Sequence, residues 1–523
     1  MQDAMKVLNK LTVAGVHVWL DGENIRATAL KGVMTGEILT LLRENKASLS
    51  ILLQEMPRKA SLGERSIHSV DRPVIKKWPG REDAPVSVTP FPLWPRIQNG
   101  HLSPVETNMI QCFTIGEDLD VAALKQALSW IEERHRILGG KIVDVGGEHF
   151  YRLDGEGLQI EYRDIDTESP DENSEYLGIC QDFCWKAFDV SKSLARALIL
   201  RLTENSYILC LVVHHLACDG ASKPVILADL KRFYGLAKSG GSPNIDHANE
   251  INYLDYLNSL SEWLHNKEIE RQTASLVHRL ADFPDASLTP DIQAPTSNGQ
   301  QITCSSLSES ISGDFMYMLH EVCRRDSVTS FVVFLAAQSL AIMRDSGKRK
   351  FAFRVTTANR QVEGTSNLVG LLANHLIVPI SAPEEATFLE FLREIRSAWI
   401  DALQFDNIPS DELARCYPNL SATVFNFVPM DEVKSNSTAN RSSELAWKPL
   451  SVPYMPRMGD RKSVGQELSA HAVFMTETTN AFMIYVLYTS YYSEGKIRTF
   501  LKDVVGFVED LYYFPDRKVA ERK

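Results

Sequence analysis

Three observations predict a mixed α/β protein made of a small leading unit and a long body. Strand-like apolar runs at 206–214, 351–356, 422–428 and 482–488 alternate with stretches of helical periodicity at 121–134, 254–265 and 331–344, the pattern of sheets covered by helices. A proline-rich, basic stretch separates the first 56 residues from the long body. The composition, 44% apolar and 23% charged, sits at globular averages and argues against global disorder or a fibrous repeat. At roughly 150 residues per domain, 523 residues make room for about three or four domains.

The leading unit reads as helix, hairpin, helix, helix. A helical start at 4–11 precedes two short alternating runs, 16–20 and 25–28, joined by the turn dipeptide Asp21-Gly22. Thr35 then stands before an apolar stretch at 37–42, and a second apolar set lies at 49–53, which suggests two short helices. So small a unit buries little surface, and the open edge of its hairpin is available for strand pairing. From Pro57 to Pro95 there are seven prolines, and from Pro57 to Arg81 seven Lys or Arg against two acids, so residues 57–84 are expected to be a solvated linker.

The whole chain carries 55 Lys and Arg against 67 Asp and Glu, a formal charge of −12, which speaks against broad attraction to nucleic acid or anionic lipid. The most apolar helical stretch, 331–343, is shorter than the roughly 18 residues a membrane span needs and contains Gln338 and Ser339. The N-terminus lacks the features of a secretory signal, so a cytoplasmic location is expected. The eight cysteines are scattered in sequence, with no Cys-x-x-Cys pair and no paired histidines at zinc spacing, and are expected to be reduced packing residues with no metal site.

Chemistry concentrates at one place. The apolar run 207–213 has the length of a buried strand, ends in His214-His215-Leu-Ala-Cys-Asp219-Gly220, and leads into a helical stretch from Lys223 through Tyr234. A strand end bearing two histidines and an aspartate suits a functional site, although the pair alone is more often a structural histidine beside a tight Asp-Gly turn, and it is the flanks that change this reading. In this setting His-His-x-x-x-Asp-Gly resembles the signature of nonribosomal peptide synthetase condensation domains and related acyltransferases. The resemblance spans nearly the whole body: Leu102-Ser-Pro-Val-Glu106, Glu133-Arg-His-Arg-Ile-Leu138, Phe188-Asp-Val190 with Arg196, Tyr253 with Asp255 and Tyr256, Ala358-Asn-Arg360, Leu368-Val-Gly-Leu-Leu-Ala-Asn374 and Tyr488 to Tyr492 stand in the family's order. Departures from the pattern fall at Gly139, at Ser193, near Leu276 and at His375.

The resemblance implies a two-lobed, chloramphenicol-acetyltransferase-like body, N-lobe 85–265 and C-lobe 266–523, with an active-site tunnel between the lobes. It implies acyl transfer from a thioester to an amine or hydroxyl, with His215 facing the reacting carbonyl. An alkylamine has a pKa near about 10.4 and imidazole near about 6.5, so His215 is a poor base toward an ammonium ion. Instead the neutral amine attacks, and His215 positions it and takes the proton from the zwitterionic tetrahedral intermediate. With a hydroxyl nucleophile, removal of the proton during attack becomes necessary. Among the site residues, His214 is read as framing the site, Asp219 as pairing with Arg360 in a structural ion pair, Gly220 as offering bare backbone to the substrate, and Asn374 either as a residue where the second lobe meets the tunnel or as a strand-end turn residue.

Residues 1–56, through Gly15-Val-His-Val-Trp-Leu20, Ile25-Arg26, Lys31-Gly32 and Leu41-Leu-Arg-Glu-Asn-Lys46, resemble the TubC-type, or β-hairpin, docking domain. Such domains add the C-terminal tail of an upstream synthetase as a strand, and Arg26, Lys31 and Lys46 are the candidates for meeting its acidic side chains. The chain carries no Gly-x-Asp-Ser motif for phosphopantetheine attachment and no Walker-type phosphate loop. The expectation is therefore that it binds no cofactor of its own, and that an upstream synthetase supplies the acyl chain on the phosphopantetheine arm of its carrier domain. Amide formation with a small-molecule amine, releasing the chain, is the function expected. Its alternatives are ester formation with a hydroxyl acceptor and a noncatalytic module that recruits other synthetase proteins.

Overall fold

The computed structural model describes residues 16–21, 24–29, 72–91, 93–100, 102–116, 119–165, 175–203, 205–247, 250–292, 304–410, 424–428, 447–450, 471–477 and 481–521, with single positions at 40, 43, 45, 46, 413 and 452. In the leading unit, β1 (Val16–Asp21) and β2 (Asn24–Ala29) pair antiparallel, from Val16 opposite Ala29 to Asp21 opposite Asn24. The ladder therefore runs one residue further than a turn centred on Asp21-Gly22 would allow. Thr40, Arg43 and Lys46 are helical. The helix expected at 4–11 and that at 49–53 lie outside the described residues.

The body opens with β3 (Asp83–Pro85), α1 (Leu93–Gln98), β4 (Asn108–Ile115), α2 (Val121–Arg134), the hairpin β5 (Lys141–Val145) and β6 (Glu148–Arg152), and β7 (Gln159–Asp164). Next come α3 (Glu175–Cys184), β8 (Ala195–Thr203), β9 (Ser206–His214), α4 (Ser222–Lys238), α5 (Tyr253–Leu264) and α6 (Lys267–Leu280). Its second half runs β10 (Cys304–Ser312), α7 (Asp314–Asp326), α8 (Ser330–Ser346), β11 (Lys350–Thr357), β12 (Asn374–Ser381), α9 (Phe388–Ala402), β13 (Val424–Val428), β14 (Trp447–Pro449), β15 (His471–Glu477), β16 (Ala481–Thr489) and α10 (Glu494–Tyr513).

Two large sheets organise these elements, one of five strands in the order β14-β4-β9-β8-β7 and one of six in the order β10-β16-β15-β13-β11-β12. In the first, alternate residues of β9 serve two cores: Leu209, Leu211 and Val213 pack with α2 and α4, whereas Ile208, Cys210 and Val212 pack with α3. A strand covered on both faces must be apolar throughout, which is why 207–213 shows no polar alternation. The second sheet lays Phe351, Phe353, Phe425 and Ile484 against α7, α8, α9 and α10. Among the described residues, no single helix is long and apolar enough to cross a membrane.

The structure departs from the sequence reading in three places. Residues 72–84, read as the end of a solvated linker, are packed on α5: Lys77 Nζ pairs with Asp255 at 3.0 Å, the Trp78 N–H donates to the same carboxylate at 2.9 Å, the Trp78 indole donates to Ser259 Oγ at 3.1 Å, and Ala84 is fully buried. A proline- and lysine-rich composition conceals this because the contacts are polar and backbone-mediated. Secondly, β14 comes from beyond residue 265 yet forms the edge of the first sheet, Trp447 opposite Ile115, so a boundary at 265 does not separate the two sheets' strands. Thirdly, the cysteines are not scattered in space: Cys112 and Cys210, on two strands, and Cys180 and Cys184, on one helix, share one small core.

Candidate active site

β9 carries the two histidines to its end, where a short 3-10 turn (His215–Ala217) breaks the strand before α4 begins. His214 is buried and both its ring nitrogens are engaged. Its Nδ1 accepts the Leu216 N–H at 3.1 Å, so its Nε2–H donates to Thr107 Oγ1 at 2.9 Å, and the Thr107 hydroxyl donates to the Pro104 carbonyl at 2.7 Å. The motif at 102–106 thereby acquires a purpose: Ser103 and Glu106 form a reciprocal capping box that sets Thr107 against His214. Burial, helped by the positive charge of Arg196 and by His215, lowers the His214 pKa to about 3.

His215 is partly exposed, and its Nδ1 lies 2.7 Å from the Cys218 carbonyl oxygen. A carbonyl only accepts, so Nδ1 carries the proton and Nε2 presents a lone pair. Burial lowers the pKa of this ring, opposed by the Cys218 bond and by Asp219. Phe91 lies across His215, ring centroids 6.3 Å apart, and meets His375 edge-on at 4.8 Å.

Asp219 turns the other way, into the junction between the two halves of the body. Its Oδ1 accepts from Arg360 Nη2 at 2.7 Å and from the Ser222 N–H and hydroxyl at 2.9 and 2.8 Å. Its Oδ2 accepts from Arg360 Nη1 at 3.0 Å and from the N–H groups of Leu372 and Ala373 at 3.0 and 2.9 Å. Burial alone would raise the Asp219 carboxyl, but the bidentate Arg360 guanidinium, with Ser222 and the Ala373 N–H, outweighs it and holds the carboxyl below its ordinary range.

Asn374, fully buried at the start of β12, makes four hydrogen bonds: its amide donates to the Asp406 and Ile408 carbonyls, and its Oδ1 accepts from the His375 and Ser410 N–H groups. No lone pair or N–H remains for a substrate. Gly220 is exposed, and a Cβ built there meets no protein atom within 4 Å, so the protein's own packing does not demand glycine at this position. Arg26 lies on β2 opposite Trp19, Lys46 is exposed on a helix, and Lys31 falls outside the described residues.

Three participants are not marked in the sequence reading. Ser222 bridges Asp219 and both the N–H and carbonyl of Gly370. Its signal was an Asp three residues before a Ser at a helix start, the spacing of an N-terminal cap. Thr107 and the Cys218 carbonyl orient the histidines without any sequence mark. Tyr253 packs so tightly on Gly370 that a Cβ there would stand 2.1 Å from its ring, which is why the motif at 368–374 has glycine at this point.

Comparisons with known proteins identify the families that the chain matches. The family model for the condensation domain matches residues 101–523, and that for the TubC N-terminal docking domain matches residues 5–55. The chain is 29% identical over 324 residues to nonribosomal peptide synthetase kk1B of Curvularia clavata, covering 60% of this chain and 2% of that protein. It is likewise 29% identical over 304 residues to cyclosporin synthetase simA of Tolypocladium inflatum, covering 56% and 2%. The chain thus spans only a small part of the relatives it matches. Among solved structures, SgcC5 of Streptomyces globisporus aligns with a TM-score of 0.62 at 19% identity, covering 80% of this chain and 95% of its own. The condensation domain for chain release from the enacyloxin polyketide synthase aligns at 0.62 and 15%, covering 98% and 97%.

Proposed function

The chain belongs to the condensation-domain family, and from that membership we propose that it transfers a peptidyl or acyl group from a carrier-bound thioester to an amine, releasing the chain as an amide. The observation that carries this reading is the orientation of His215. With its Nδ1 proton committed to Cys218, Nε2 is left as an acceptor at the end of a rigid, buried strand. A neutral amine attacks the thioester carbonyl, and the nitrogen of the tetrahedral intermediate, now positively charged, gives its proton to Nε2. Collapse breaks the carbon–sulfur bond, and the departing thiolate of the phosphopantetheine arm takes that proton back. His214 has no free nitrogen with which to compete, and Asp219 is committed to Arg360, so on this reading both shape the site rather than carry protons. Arg360 and Asn374 serve as structural support, and Gly220 as a gap left for substrate.

The match to a docking domain ahead of the condensation domain favours an acyl donor delivered by a separate carrier protein, held through its synthetase's tail at β2, Arg26, Lys31 and Lys46. The likeness to a chain-releasing domain over nearly the full chain favours release over elongation. Incubation with a loaded carrier and a panel of amines and alcohols, read by intact mass spectrometry, tests the reading. Amide products should form, and His215→Ala should slow them by at least about 100-fold while leaving the thermal melt near wild type. Esters without amides would assign a hydroxyl acceptor. No transfer to any acceptor, or a folded His215→Ala protein of wild-type rate, overturns the proposal.

A further inference from the structure

Four of the eight cysteines meet beneath the first sheet, away from the histidines of β9's end. Cys112 on β4 and Cys210 on β9 are direct cross-strand partners. Cys180 and Cys184 stand one turn apart on α3, which covers that face. The sulfurs of Cys112, Cys184 and Cys210 all lie within 4.8 Å of one another, and Cys112 and Cys184 are 3.6 Å apart. Cys180 is fully buried in the same small core. We propose that Cys112, Cys184 and Cys210 form a buried thiolate site for a closed-shell thiophilic cation, zinc or copper(I), that ties α3 to the sheet.

Geometry and charge both fit. A tetrahedral zinc site with Zn–S bonds of about 2.3 Å has sulfur–sulfur edges of about 3.8 Å, close to the observed contact. Soft sulfur ligands in a pocket without carboxylates select zinc or copper(I) over magnesium or calcium. Binding exchanges thiol protons for the metal and releases them to water. Three thiolates around a divalent ion leave one net negative charge, and Arg196 on the neighbouring strand supplies the compensating positive one. Its guanidinium donates to the carbonyls of Phe183 and Cys184 and stacks on Phe188 at 4.0 Å. Cysteines acting as plain apolar filler would have no requirement to converge from β4, β9 and α3 onto one point.

The full-length protein, purified without added metal and dialysed against EDTA, should retain close to one zinc or copper per chain by inductively coupled plasma mass spectrometry. Cys112→Ala and Cys184→Ala should each reduce this at least about tenfold. Should either variant fail to fold, wild-type protein unfolded with chelator and refolded with zinc, copper(I) or cobalt(II) supplies the answer. It should take up one equivalent, cobalt giving thiolate-to-metal charge-transfer absorption. Uptake of copper(I) in preference to zinc would identify the ion within the same chemistry. Wild-type protein with under a tenth of an equivalent that takes up none of the three on refolding overturns the proposal, as does metal undiminished in both folded variants.

Discussion

His215 and Asp219 stand four residues apart and face opposite ways, one leaving its Nε2 free on the proposed reading to meet the substrate and the other turned into the joint between the sheets. Asp219 accepts six hydrogen bonds while almost wholly buried. Asp219→Ala should therefore lower stability by about 3 to 5 kcal/mol, through the unpaired Arg360, and lose activity together with fold. A variant that melts like wild type would show the pair to be dispensable for folding. Acid should act through the histidines first. His214, His215 and His375 are all held below their ordinary pKa by burial, so the unfolded chain binds more protons than the folded one below about pH 6.5. Their stabilisation is complete above that pH and falls as pH drops, by up to about 1.4 kcal/mol per unit for each ring. For His214 the loss continues toward its folded value of about 3. The depressed Asp219 carboxyl contributes above about pH 3.9 and is lost only below it. Thermal melts between pH 7.5 and 5 should accordingly fall before the Asp219 carboxylate titrates, the three rings outweighing Asp406, whose carboxyl burial raises to about 6 and which acts in the opposite direction, and a flat profile would mean that the rings take up protons in the folded state.

At the level of elements, the segment 72–84 behaves as part of the body. It satisfies Asp255 and Ser259 of α5 and, through the Asp83 carbonyl, Asn258. A chain beginning at residue 72 should melt with the full-length protein, whereas one beginning at 86 removes these groups' bonds to the segment and strips Ala84 from the core. Each lost buried partner costs about 1 to 3 kcal/mol, less whatever water restores, so the shorter chain should melt several degrees lower. Equal melting of the two would return 72–84 to the status of a linker. The segment 368–373 plays a comparable part: Leu372 and Ala373 bind Asp219, Gly370 binds Ser222, and the Leu371 carbonyl takes the Tyr253 hydroxyl, so four consecutive backbone units fasten β12 to the active-site turn.

For the whole molecule, the relevant quantity is the local concentration of the acyl donor. Strand addition at the hairpin edge draws its affinity from backbone hydrogen bonds, leaving charge to select the partner. Tethering raises the carrier's effective concentration toward the millimolar range without altering the chemistry. Deleting residues 1–56 should therefore slow turnover at low micromolar carrier, with most of the rate restored at saturating carrier. Lys31→Glu should weaken binding of an acidic tail peptide, by calorimetry, less so at high salt. Equal rates at low carrier, with no tail binding, would remove docking from the account.

Sequence by itself determined the mixed α/β class, the hairpin, the limits of β9 and the location of the candidate site, because these depend on local periodicity and on a motif contiguous in the chain. The run 206–214 matches β9 residue for residue, since a fully buried strand must be apolar until the chain leaves the core. Only tertiary structure decided which nitrogen of His215 is free, because the Cys218 carbonyl acquires its direction from the turn that carries it. It alone placed β14 at the edge of the first sheet, where the pairing joins residues more than 330 apart. It alone gathered Cys112, Cys180, Cys184 and Cys210 at one point, since strand pairing and a helix crossing the sheet, neither written in cysteine spacing, set the distances between them.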